Sequence, residues 1–252
     1  MMIVGIIPAR FASSRLMGKP LADIGGKPMI QHTYNSAKKS KLLDKVIIAV
    51  DDEKVFQVVT AFGAEAYMTP KDCASGSDRI AFVVEKIPDA EIIVNIQGDE
   101  PFIKGKMIDQ AIEPLWIDKK VNLSTLARRI TNVEEMKSPA VVKVVFDYHN
   151  YAMYFSRSPI PFVRDARTNL EKVQSADIYK HIGLYVYRRE TLLKFTTLKP
   201  TDLEQIEKLE QLRFLENGFK MKIVVTEYDS LSVDTPRDLE LARRFLERQN
   251  KK

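Results

Sequence analysis

Cysteine is almost missing from this chain of 252 residues: Cys73 stands alone. No intrachain disulfide can form, and no cluster of thiolates is available to a metal. Cys73 reads as a small apolar filler near a loop, in a chain suited to a reducing compartment. Long hydrophobic runs are missing too. No apolar stretch approaches the roughly 18 residues of a membrane span, and the N-terminus lacks a charged segment followed by an apolar one. The expectation is a cytoplasmic protein with no membrane partner. There is no internal repeat and no low-complexity segment. Lys and Arg number 39 against 34 Asp and Glu, a net charge of +5. They are scattered, without the basic-aromatic strip of a nucleic-acid binder, so no nucleic-acid partner is expected. A moderately basic balance fits anionic small molecules. No Ser-His or Cys-His pairing is visible. Two familiar phosphate motifs are also absent. Gly18-Lys19 is followed by Pro20 where a Walker loop needs Ser or Thr, and Ser13 stands where its first glycine should be. Gly25-Gly26 comes too late, and without the spacing, for a dinucleotide fingerprint.

The chain organises around its first loop. The apolar run 3–7 reads as a buried strand that Pro8 stops. Arg10, Arg15 and Lys19 follow, separated by Ser13, Ser14 and Gly18. Cations, hydroxyls and free amides past the carboxyl end of a strand suit a polyphosphate in an open α/β sheet. A solvated basic loop is the plain alternative. Beyond it the pattern alternates: helix 28–38, strand 45–50, helix 53–62 closed by Gly63, strand 66–68, helix 77–85, strand 91–96, then helix 106–118 kinked or shortened by Pro114. Such alternation predicts a parallel sheet. Strands are predicted over 122–129, 140–146, 151–157 and 180–187, with a long functional or disordered loop over 159–177. Helices 191–195 and 203–217, strand 221–226 and helix 235–249 complete the chain. A hydrophobic content of 45% supports one sizeable core. The expectation is a single domain over 1–252.

Asp99 follows the strand 91–96, and Asp234 precedes the last helix. Hard oxygen ligands of this kind suit Mg²⁺, which takes one or two carboxylates plus substrate phosphates. Asp99 could equally be a turn residue after Gly98, and Asp234 a helix cap. Asp51 and Asp52 read as turn or cap residues, and Glu100 as structural. Arg79 opens a helix after Ser75-Gly76, as an anion contact or as surface decoration. Arg157 and Arg164 flank the proline-rich loop, where an arginine fork can grip a carboxylate. His181 heads a strand, a place more usual for a hydrogen-bonded structural histidine than for a base. Glu210 and Gln211 could be plain helix surface.

The opening Ile7-Pro8-Ala9-Arg10, Ser13-Ser14-Arg15 and Gly18-Lys19-Pro20-Leu21 resembles that of the sugar-acid cytidylyltransferases. Six further blocks follow in the family's order. They are Ser75-Gly76-Ser77-Asp78-Arg79, Asn95-Ile96-Gln97-Gly98-Asp99-Glu100-Pro101, Tyr154-Phe155-Ser156-Arg157-Ser158-Pro159-Ile160-Pro161, His181-Ile182-Gly183, Leu209-Glu210-Gln211-Leu212-Arg213 and Val233-Asp234-Thr235-Pro236.

The resemblance implies a Rossmann-like α/β nucleotidyltransferase fold. Its sheet is mostly parallel and flanked by helices, with a smaller β-rich region for dimerisation and sugar binding inserted at about 130–190. It implies transfer of CMP from CTP to 3-deoxy-D-manno-octulosonate, with release of pyrophosphate, in a homodimer serving lipopolysaccharide biosynthesis. An 8-amino analogue or another sugar acid is the alternative substrate, and a non-catalytic nucleotide-binding module the alternative of another class. By the same resemblance, Lys19, Asp99 and Asp234 are catalytic, with Mg²⁺ on the two aspartates. Ala9, Arg10, Ser13, Arg15, Lys19, Ser75, Gly76, Arg79 and Gln97 bind the nucleotide. Gln97, Arg157, Arg164, His181, Tyr185, Glu210 and Gln211 bind the acidic sugar. The chain departs from the family at Met17, in Asp229-Ser230-Leu231-Ser232 and over 166–175. The last two departures bear on which sugar is bound.

Overall fold

The structure, a computed structural model, describes residues 1–12 and 16–250. The chain forms two compact units, one of residues 1–109 and 230–252, the other of residues 110–229.

The first unit is built on β1 (Met2–Ala9), whose Val4, Ile6 and Ile7 are fully buried. A hairpin of β2 (Asp23–Ile24) and β3 (Lys27–Pro28) precedes α1 (Met29–Ala37). Next come β4 (Lys45–Val50), α2 (Glu53–Ala61), β5 (Glu65–Met68), α3 (Gly76–Val84) and β6 (Ala90–Asn95). All four long strands pair in parallel, in the order β6-β1-β4-β5. β1, β4 and β6 are near-continuous apolar runs because helices cover both faces of such a sheet. Each fully buried Ile or Val contributes roughly 1.5–3 kcal/mol. The alternation seen in the sequence is therefore a parallel α/β sheet, Rossmann-like in its strand-helix succession.

α4 (Gly105–Ile117) leads into the second unit, and Pro114 lies inside it without ending it. That unit contains β7 (Leu123–Arg129), α5 (Val133–Lys137), β8 (Lys143–Phe146), β9 (Ala152–Ser156), α6 (Asn169–Ser175), β10 (Tyr179–Arg188), α7 (Arg189–Thr196), α8 (Asp202–Glu207), α9 (Leu212–Glu216) and β11 (Lys222–Val225). β10 runs antiparallel to β7 and β8, β9 antiparallel to β8, and β11 parallel to β7. The chain ends in α10 (Pro236–Asn250), which belongs to the first unit and packs Leu239 and Ala242 against Ile24, Met29 and Val233. No helix among the described residues is long and apolar enough to cross a membrane.

Four local expectations change. Pro8, expected to stop the first strand, lies inside β1 opposite Ala49, beyond the last β1–β6 pair at Ile6, where its missing N–H is tolerated. The loop expected over 159–177 contains α6, opened by a capping box in which Thr168 and Glu171 bond each other's backbone amides. The proline-rich stretch before it masked that signal. The helix expected over 203–217 is two short ones, α8 and α9. Lys208 adopts a left-handed conformation, φ 54°, and breaks it. The strand expected from 140 begins only at Lys143. Residues before it form a turn, in which the Val141 amide donates to the Ser138 carbonyl at 3.2 Å.

Lys143 explains that turn. Its side chain is fully buried, and Nζ donates to the carbonyls of Ser138, Val141 and Arg157 at 2.9, 2.5 and 2.5 Å. Burial pulls its pKa below the usual lysine value, while the Glu207 charge opposes that shift.

Gly105 starts α4 against the end of α1. A Cβ there would lie 2.4 Å from the Lys39 carbonyl carbon and oxygen and 2.5 Å from the Ser40 nitrogen. Backbone cannot yield as a side-chain tip does. Gly105→Ala is expected to cost about 2 kcal/mol or more, read as a lower urea midpoint at unchanged m-value.

Candidate active site

The carboxyl ends of β1, β4 and β6 lie at one edge of the parallel sheet, where an open α/β fold binds ligands. A cavity of about 400 Å³ opens there. It is lined by Pro8 and Ala9 at the end of β1 and Arg10 just after it, by Gln97, Gly98 and Asp99 after β6, and by Cys73, Ala74, Ser75, Gly76 and Arg79 around the start of α3. Lys19, Pro20, Met29 and Asp234 complete the lining. Every described residue expected to meet the nucleotide therefore lines this one space. Ser13 and Arg15 lie outside the described residues.

Local rules place each group. Gly18 has φ 66°, a left-handed turn that costs a side-chain-bearing residue roughly 1 kcal/mol, and Lys19 follows it into a short 3₁₀ turn, Lys19–Leu21. Gly98 must lack a side chain, because a Cβ there would press on the Pro8 carbonyl at 2.8 Å. That close approach sets the position of Asp99. Ser75 caps α3, its hydroxyl accepting the Asp78 amide and donating to the Asp78 carboxylate at 2.8 Å. With Gly76 it brings the amide-rich N-terminus of a nine-residue helix to the cavity, an anion-favouring feature.

The centre of the site is Lys19. Its Nζ donates to Asp99 Oδ2 at 2.6 Å and to Asp234 Oδ1 at 2.7 Å, with the lysine side chain 14% exposed. The Val233 amide donates to the Asp99 carbonyl at 2.9 Å, so the segment before α10 is tied to the loop after β6. The cap of α10 falls to other residues. The Thr235 hydroxyl accepts the Asp238 amide at 3.2 Å and donates to the Asp238 carboxylate at 2.8 Å. Burial would raise the Asp238 pKa, but the bonds from the Thr235 hydroxyl and the Asp234 and Thr235 amides outweigh it and hold the value down. With Thr235 and Asp238 capping α10, the Asp234 carboxylate faces Lys19. Glu100 accepts a hydroxyl bond from Ser230, a structural contact.

Two residues escaped the sequence reading. Gly98 entered the sequence analysis only as the residue before Asp99. Asp51, read as a turn or cap, accepts the Phe11 amide at 2.9 Å and pairs with the buried Arg79 at 3.0 Å. Asp52 does cap its helix, accepting from Lys54. Neither role of Asp51 has a sequence signal, since both partners are distant along the chain.

The residues expected to hold the sugar acid, Gln97 apart, lie in the second unit. His181 and Tyr185 are on β10 with ring centroids 5.4 Å apart, and Phe155 meets His181 edge-on at 5.0 Å. Glu210 and Gln211 follow the break at Lys208, and Gln211 is buried. Burial, then the charges of Tyr187 and Glu210, push the Tyr185 phenol well above its usual pKa, so it remains neutral. Arg157 donates to the carbonyls of Glu207, Pro139 and Lys208 at 2.7, 2.9 and 3.2 Å, while its amide donates to the Glu207 carboxylate at 2.9 Å. In this arrangement its guanidinium binds framework carbonyls. Arg164 is exposed.

His181 Nε2 lies 2.8 Å from the Thr125 hydroxyl, which donates onward to the Leu184 carbonyl at 2.8 Å. The Thr125 oxygen therefore accepts, which places the proton of the neutral ring on Nε2 and leaves Nδ1 an acceptor. Burial lowers the His181 pKa to about 3. Between that value and the unfolded one near 6.5 the unfolded chain binds more protons, so stability is complete above pH 6.5 and falls as pH drops toward 3. The residue retains some surface, so acidifying from pH 7 to 5 is expected to cost about 1 kcal/mol rather than the ~2 kcal/mol of a fully sequestered ring. Urea titrations should show this slope in the wild type and its absence in His181→Gln.

Comparison with known proteins identifies the family. The cytidylyltransferase family profile matches residues 4–223. The 3-deoxy-manno-octulosonate cytidylyltransferase of Geotalea uraniireducens is 52% identical over the whole of both chains. That of Geobacter sulfurreducens is 51% identical over 95% of this chain and 97% of its own. Among solved structures, a CMP:2-keto-3-deoxy-manno-octonic acid synthetase complexed with CTP superposes with a TM-score of 0.91 at 40% identity, covering 99% of this chain and all of that one. A loop of cations after β1, an aspartate after β6 and a second aspartate before α10, on a full-length match of this kind, place the chain in the cytidylyltransferase family.

Proposed function

We propose that this enzyme transfers CMP from CTP to 3-deoxy-D-manno-octulosonate, releasing pyrophosphate. The observation that carries the reading is Lys19 held between Asp99 and Asp234 in a cavity lined by the end of β1 and the start of α3. The full-length likeness to relatives named for that activity supports it. The anomeric hydroxyl oxygen attacks the α-phosphorus, a new O–P bond forms, the bond to the bridging oxygen of the leaving pyrophosphate breaks, and the hydroxyl proton departs to solvent. No covalent enzyme intermediate is required. The protein positions the reactants and offsets developing charge.

Arg10, Lys19 and the α3 N-terminus would bind the triphosphate, with Ser75, Gly76 and Arg79 beside the base and ribose. Arg15 and Ser13 would join them. Asp99 and Asp234 form a pair of hard oxygen donors already close enough to share one ammonium group, which fits Mg²⁺ as well as it fits lysine. Mg²⁺ held there would neutralise the α-phosphate and lower the pKa of the attacking hydroxyl. With the carboxylates so occupied, Lys19 would be free to bind phosphate oxygens. On the sugar side, His181 Nδ1 can accept from a hydroxyl, and Gln97, Tyr185, Glu210 and Gln211 offer further polar contacts. Arg157 and Arg164 would meet the carboxylate, Arg157 by exchanging framework carbonyls for it. A cytoplasmic location belongs to the same reading.

The test is pyrophosphate release with CTP and a panel of sugar acids. Release with 3-deoxy-D-manno-octulosonate and Mg²⁺ is expected, with none in chelator and at least about a hundredfold loss in Asp99→Asn or Asp234→Asn at unchanged thermal stability. Undiminished turnover in chelator would sink the metal assignment. Strong preference for the 8-amino sugar would replace the substrate, use of ATP or GTP would remove the cytosine assignment, and no release with any sugar would favour a non-catalytic nucleotide-binding module.

Phe162 is 80% exposed in the segment Ile160-Pro161-Phe162-Val163. An exposed apolar patch of this kind suits an interface between copies, and a homodimer is proposed. Light scattering at micromolar concentration should return twice the 28.8 kDa chain mass. A monomer counts against it.

A further inference from the structure

We propose that Asp51 is a positioning residue for the nucleotide. It fixes the backbone at Phe11, where the chain leaves β1 and enters the cation-bearing loop. The proposal rests on the CTP reading for its functional consequence, but its geometry stands apart from it.

Asp51 does not line the cavity. It is 8% exposed, and both of its carboxylate oxygens have partners. Oδ1 accepts the Phe11 N–H at 2.9 Å, and Oδ2 accepts from Arg79 Nη2 at 3.0 Å. Arg79, with 4% of its side chain exposed, also donates through Nη1 to the Thr69 hydroxyl and to the Pro70 carbonyl at 3.2 Å. Thr69 in turn donates its hydroxyl and amide hydrogens to the Val50 carbonyl, both at 2.8 Å. One buried network thus joins the ends of β1, β4 and β5 to the first turn of α3.

Phe11 is the point at which this network acts. Its N–H is held by Asp51, its carbonyl accepts the Gly18 N–H at 3.3 Å, and its ring stands 3.5 Å from where a Gly18 Cβ would be. Arg10 precedes Phe11 and Lys19 follows Gly18, and both line the cavity. Asp51 therefore holds both cations in place from outside the site. A backbone amide bound by a buried, charged acceptor is one of the stronger ways to immobilise a loop. The competing role is that of a simple counterion, with Asp51 doing no more than neutralising Arg79.

Asp51→Asn and Asp51→Ala separate the two roles. Asparagine keeps Oδ1 for the Phe11 amide but loses the charge, whereas alanine loses both. Amide hydrogen exchange, read by NMR without ligand, should show the Phe11 amide exchanging about tenfold or more faster in Asp51→Ala and close to wild type in Asp51→Asn. Calorimetry should show CTP binding about tenfold weaker in Asp51→Ala and largely restored in Asp51→Asn, with the KM for the sugar acid unchanged in both. Equal losses of CTP affinity in the two variants would mark a counterion and overturn the proposal. An unchanged Phe11 amide in Asp51→Ala overturns it whatever the ligand, so a wild-type protein that binds no CTP removes the functional reading without deciding this one. Should Asp51→Ala fail to fold, replacing the Phe11 amide by an ester removes only the donor and leaves the Asp51–Arg79 pair intact. The ester protein should lose CTP affinity about tenfold, and wild-type affinity in it overturns the proposal.

Discussion

One ammonium group shared by two carboxylates organises the first unit's functional edge. Asp99 comes from the loop after β6 and Asp234 from the segment before α10, and each approaches the same Lys19 Nζ within 2.7 Å. Two carboxylates held that close repel each other unless a cation stands between them. Lys19 supplies it in the protein alone. The Mg²⁺ proposed above would satisfy the same constraint in its place.

The geometry that holds this arrangement is made of backbone. Gly98 allows the loop after β6 to approach the Pro8 carbonyl closely, the Asp99 carbonyl accepts the Val233 amide, and the left-handed Gly18 turns Lys19 into the cavity. Such contacts have no side-chain freedom to lose, which suits a site whose task is to hold charges in fixed positions. Buried side-chain pairs then brace the loops from behind, Asp51 with Arg79 being the clearest. The second unit uses a comparable device. Lys143 holds three carbonyls, including that of Arg157, and Glu207 binds the Ser156 hydroxyl and the Arg157 amide at 2.6 and 2.9 Å.

What the sequence by itself determined was local. Apolar runs such as 3–7 and 91–96 had to be buried strands, and Gly63 had to end a helix, because burial and backbone conformation are decided within a few residues. The spacing of those elements was enough for a parallel α/β sheet, and the ordered motifs were enough for the family. Where local signals conflict, the sequence pattern is ambiguous: the capping box at Thr168 is hidden among prolines, and Lys208 carries no mark of a helix break. Only the tertiary structure decided which carboxylate does what. Asp234 could cap a helix or face the site until Thr235 and Asp238 were seen to cap α10, and Asp51 looked like a turn residue until its oxygens met Phe11 and Arg79. The physical reason is range. A cap is a bond between near neighbours in the chain, whereas a charge pair depends on where the fold brings together segments that the sequence keeps apart.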